Sequence, residues 1–96
     1  MLSSHDRGTL EGIIDHVIKS AKSHSKIVDS EFSKELHLEK PTDFVFGMII
    51  GEVTTAFGSY YNQVHDQFID DTINKEVAQI IIRRLPEIRQ AVYFEE

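Results

Sequence analysis

The run from Phe44 to Tyr61, FVFGMIIGEVTTAFGSYY, constrains this chain more than any other stretch. Wound at about 100° per residue, it carries apolar residues on nearly every side and a single acid, Glu52, in the middle. A helix that is apolar all round must be buried all round, in protein or in lipid. Eighteen residues span roughly 27 Å at about 1.5 Å each, a little short of a bilayer core of about 30 Å. The central acid, three glycines, two threonines and a serine all oppose insertion, so the sequence predicts burial in protein rather than in a membrane.

Winding the run also sorts its faces. Gly47, Gly51, Thr54 and Gly58 fall within a narrow arc and make a groove, while Phe46, Ile50, Val53 and Phe57 gather on a ridge. Val45, Ile49 and Ala56 form a further apolar side. Two neighbouring helices can cover the ridge, but not every face at once. Small residues at i, i+4 and i+7 let two backbones approach closely, and a self-complementary patch of that kind suits a two-fold dimer. The expected contact between copies is therefore Gly47, Gly51, Thr54 and Gly58 with Val45, Ile49 and Ala56. The blander alternative is that the groove only admits the first helix of the same chain.

The rest of the chain reads as helix, and no segment alternates long enough to argue a strand. Leu10, Ile14, Val17, Ala21, Val28 and Phe32 keep one helical phase, with Ile13, Ile18 and Leu36 at its edges, so one long first helix is the simplest account. Its weak point is Ser23 to Lys26, where polar residues and poor helix formers permit a kink or break. Lys40, Pro41 and Thr42 make a turn, with Thr42 or Asp43 as the cap of a second helix from about Asp43 to near Asp70. Val64 and Phe68 continue its ridge. Asp70 and Asp71 with Thr72 cap a third segment, in which Ile73, Val77, Ile80 and Ile81 resume the period. Pro86 kinks that segment or splits it, leaving a short helix from Pro86 to about Phe94. The fold class that follows is all-α: a small bundle of three main helices, two long and the third kinked or split at Pro86, dimerising through the second.

A length of 96 residues makes this one helical domain, 1–96, with residues 1–8 as a flexible lead-in. Cysteine is absent, which excludes disulfides, thiolate zinc sites and thiol nucleophiles together. The formal charge of −6 opposes non-specific attraction to nucleic acid and to anionic lipid. The first residues, MLSSHDRG, lack the basic start and apolar core of a secretion signal, so a cytoplasmic location is expected.

Residues able to carry chemistry are scattered. Glu52, set among apolar neighbours, loses hydration and asks for a partner, and Arg84 on the apolar stripe of the third segment is the candidate for a buried polar pair. The bland alternative makes Glu52 the first member of a solvated face with Ser59, Asp66 and Asp70. Five histidines are many for this length, yet no H-E-x-x-H occurs and no acid precedes a His or another acid by three residues. The remaining metal candidates are weak: His65 with Asp66 and Asp70, or His16 with His24. No G-x-S-x-G turn and no phosphate or dinucleotide loop is present. Arg83, Arg84 and Arg89 with Gln79 and Gln90 form the best nucleic-acid patch, and Lys19, Lys22 and Lys26 a second, although the apolar run Ile80 to Ile82 argues for a packed helix. Tyr60, Tyr61, Tyr93 and Phe94 read as core or interface aromatics. No cofactor is implied. The sequence expects a small homo-oligomeric interaction or regulatory module whose partner is itself, with a metal-dependent helical enzyme or metal-binding protein and a DNA-binding regulator as the alternatives.

Overall fold

A computed structural model describes residues 1–27 and 30–93, with the side chains of residues 22–27, 30 and 32 outside the description. Among the described residues the chain is helical without strands: α1 (Ser4–Ile27), α2 (Ser30–Glu35), α3 (Pro41–His65), α4 (Asp71–Arg83) and α5 (Leu85–Tyr93). The α1 stripe is the expected one, with Leu10, Ile14, Val17 and Ala21 buried and Ile13 and Ile18 half-buried at its edges. Helix α1 passes through Ser23–Lys26 without a break. Val28, the Phe32 side chain and Phe94 lie outside the described residues, and Leu36 is exposed.

The lead-in is not loose. Ser3 Oγ accepts the Asp6 N–H at 3.0 Å and so caps α1, while the N–H of Leu2 donates to both Glu76 oxygens at 3.2 and 3.1 Å. Leu2 is buried as a result, and the stretch the sequence reads as a flexible lead-in carries the start of α1. The signal was legible: a serine three residues ahead of an acid, just before an apolar run, is a capping pattern.

Helix α3 starts two residues earlier than the sequence reading placed it. Pro41 occupies the first turn, where its missing N–H costs nothing, and Lys40 stands at the N-cap without a side-chain bond, so neither Thr42 nor Asp43 is the cap. The helix stops at His65 rather than near Asp70. Asp66 turns into the left-handed region at φ 54° and returns its N–H to the Asn62 carbonyl at 2.9 Å, closing the C-terminus. Phe68 consequently falls in the turn, not on the ridge. Asp70 accepts the Ile73 N–H at 2.9 Å as the N-cap of α4, where the sequence expected a cap. Before Pro86 the chain splits: the N–H of Arg84 bonds the Ile80 and Ile81 carbonyls, and α5 begins at Leu85.

Helices α1 and α3 run antiparallel, with α5 packed against both and α4 lying against α1 and α5. The buried residues of α3 are Val45, Ile49, Val53, Phe57 and Tyr61. Steps of four residues turn the stripe by about 40° each time, so it winds across the helix. Val45 and Ile49, expected at a contact between copies, are 3% and 0% exposed in the single chain and belong to its core. Phe46 and Ile50, expected on the ridge with Val53 and Phe57, are half-buried at the edge of the core.

Candidate functional site

Where the start of α1 meets the end of α3, one carboxylate is taken out of water. Asp6 is 3% exposed; Oδ1 accepts from the Tyr60 hydroxyl at 2.8 Å, and Oδ2 lies 2.9 Å from His65 Nε2. Burial pushes the Asp6 carboxyl up, but bonds from Tyr60, His65 and Ser3 and the charge of His65 outweigh it and hold it below the ordinary value. An ionised carboxylate only accepts, so His65 Nε2 carries the hydrogen in this contact. The helices favour the same arrangement. Asp6 stands in the first turn of α1 and His65 in the last turn of α3, where helix dipoles stabilise negative and positive charge respectively. Tyr61 covers the imidazole with ring centroids 4.3 Å apart. The Tyr60 hydroxyl is altered in turn: a contact with Thr9 pulls it down, but the Asp6 carboxylate and burial prevail and leave it above its usual value.

A second polar junction ties α1 to the corner between α4 and α5. Arg84 sends Nε to Glu87 at 2.6 Å, Nη1 to Glu11 at 2.5 Å and Nη2 to Asp15 at 2.7 Å. Glu87, then Asp15 and Glu11, hold the guanidinium far above its ordinary value against the opposing effect of burial. The expected Glu52–Arg84 pair is therefore corrected. Glu52 lies about 100° round α3 from Val53, on an exposed flank away from that corner, whereas Arg84 faces α1. Of the proposed nucleic-acid patch, Arg84 is consumed by carboxylates, Arg89 lies 5.1 Å over the Phe46 ring, and Arg83 is exposed.

The metal candidates diverge. His65 is turned to Asp6, Asp66 shapes the end of α3, and Asp70 caps α4. Among the described residues no three His, Asp or Glu side chains converge as a metal site. His16 is exposed, and the side chain of His24 lies outside the described residues. No described helix is long and apolar enough to cross a membrane.

The outward side of α3 is where the sequence placed its contact between copies. Gly47, Gly51, Thr54 and Ala56 are exposed and Gly58 is half-buried. A Cβ built on any of the three glycines would meet nothing within 4 Å. Among the described residues, nothing packed on α3 needs these glycines to be small. Beside this flank, between α3 and α4, opens a cleft of about 370 Å³. Asp6 on α1 is bonded to Tyr60 and His65 on α3, so the buried carboxylate works as a fastening between helices.

Among the described residues these features define a small all-α protein with an inner core, polar ties between its helices and an open flank on α3. Compared with known proteins, the chain matches no family model, no curated protein and no solved structure.

Proposed function

We propose that this protein is a small helical homo-oligomer, a dimer built through α3, acting as an interaction or regulatory module. The observation that carries this reading is the open glycine flank. Each glycine in a helix interior costs about 1 kcal/mol relative to alanine, yet Gly47 and Gly51 stand exposed with free space where a Cβ would go. Close approach of a second helix supplies the reason for their smallness that the single chain lacks. Thr54, also exposed, extends the same low surface.

Light scattering at micromolar concentration is the direct test. The expected particle mass is about 22 kDa, twice the 11.0 kDa chain, and a mass of one subunit ends the proposal. Gly51→Leu should return the particle to one subunit while its circular dichroism stays helical, because position 51 is exposed and a Cβ there meets no described atom within 4 Å, whereas a second backbone would collide with the larger side chain.

A further inference from the structure

The cleft between α3 and α4 has Phe46, Ile50 and Thr54 on one wall and Val77, Ile81 and Ile82 on the other. It stays open because α4 rests on α1 and α5. Ile82 is 61% exposed, and past the far end of the cleft Val64 and Phe68 are 55% and 87% exposed. Thr54 belongs both to the cleft and to the glycine flank, so the two surfaces are continuous. Charge is laid out unevenly along them. At the Phe46 end Arg89 lies over the aromatic ring with no carboxylate partner among the described residues, the nearby Asp43 accepting from the Tyr93 hydroxyl instead. At the opposite end Asp66 closes α3 and Asp71 opens α4, and neither has a cationic partner among the described residues. Lys75, one turn further along α4, is exposed beside them.

We infer that a second copy of this chain fills the cleft with its own α3, antiparallel about a two-fold axis near Thr54, so that Arg89 of each copy meets Asp66 and Asp71 of the other. This rests on the self-association proposed above and adds which surface is used and in which direction. An isologous contact requires a patch that complements itself under a half-turn, and a cation at one end with carboxylates at the other does so. The lengths agree. From Thr54 the helix runs about 12 Å to Phe46 and about 18 Å to Asp66, a difference of about 6 Å that an extended arginine side chain spans. The same half-turn brings Val64 and Phe68 against the other copy and covers apolar surface that a single subunit leaves in water.

The test is the dimer dissociation constant from sedimentation equilibrium, with circular dichroism confirming that each variant is folded. Ile82→Asp and Arg89→Asp, both at exposed positions, should each weaken the dimer at least about tenfold. Adding Asp71→Arg to Arg89→Asp should recover most of that loss. A wild-type dimer indifferent to Ile82→Asp and Arg89→Asp, yet broken by Gly51→Leu, overturns the cleft and keeps self-association through the flank. Single variants that weaken the dimer without recovery in the double variant overturn the antiparallel arrangement. A wild-type particle of one subunit, including one whose cleft takes up an amphipathic helical peptide instead, overturns both.

Discussion

The two sides of α3 follow opposite rules although they share one backbone. On the inner side Ile49, Val53 and Phe57 reach 0% exposure against α1 and α5, and any loss of volume there leaves a void. On the outer side Gly47 and Gly51 face open space, and volume can be added without meeting another atom of the chain. A helix pattern that looks uniformly greasy therefore contains one face buried within the subunit and one exposed. The difference is read in steric terms, not hydropathy: the inner residues are fully buried, whereas a Cβ at Gly47 or Gly51 meets no described atom within 4 Å.

Substitutions along α3 should expose that contrast. The largest effect is expected on the inner side, where Phe57→Ala removes a fully buried ring and should lower the unfolding free energy by about 3–5 kcal/mol in denaturant titration. A loss near that of a surface residue would show that the inner stripe is not the core. Next comes the polar fastening at the helix end. Asp6→Asn keeps the shape but removes the charge facing His65, and a loss of about 1–3 kcal/mol at neutral pH is expected. Because the folded state holds the Asp6 carboxyl below its ordinary value of 3.8, its contribution is fully present above that value. It disappears as the pH falls through the depressed folded value. Wild type and Asp6→Asn should therefore converge in stability as the pH is lowered from about 6 to about 2, and parallel curves would refute the ionised Asp6 carboxylate.

The smallest effect carries the opposite sign. Gly47→Ala on the outer flank should raise the stability of the isolated subunit by about 0.5–1 kcal/mol, since alanine is the better helix former and its methyl group has room. Measured at concentrations where the dimer is populated, the same change should weaken association. A gain in both would remove the reason to regard the flank as a contact.

Much of the fold was legible because period and punctuation agreed. Leu10, Ile14, Val17 and Ala21 share one helical phase, Asp70 stands ahead of Ile73 as a cap, and Pro86 forbids a continuous last helix; each has its place in the structure. The candidate site was less legible. Asp6 looked like part of a loose lead-in, since nothing near it in sequence announces Tyr60 and His65, 54 and 59 residues away. Arg84 was noticed as misplaced on an apolar stripe, but its partners Glu11, Asp15 and Glu87 come from two other helices. Val45 and Ile49 were assigned to the wrong side because the run offers several apolar faces and periodicity alone does not rank them.

What the residues determined by themselves is local. Backbone hydrogen bonding, proline geometry and the 3.6-residue period act over a few positions, and they dictate a helical chain, the Asp70 cap, the split before Pro86 and a central helix with glycines along one flank. What the tertiary structure decided is which face of that helix turns inward and which carboxylate takes each cation. Both outcomes depend on the direction in which α1 and α5 approach, and that direction comes from contacts between residues far apart in the chain, whose shapes and charges no local pattern records.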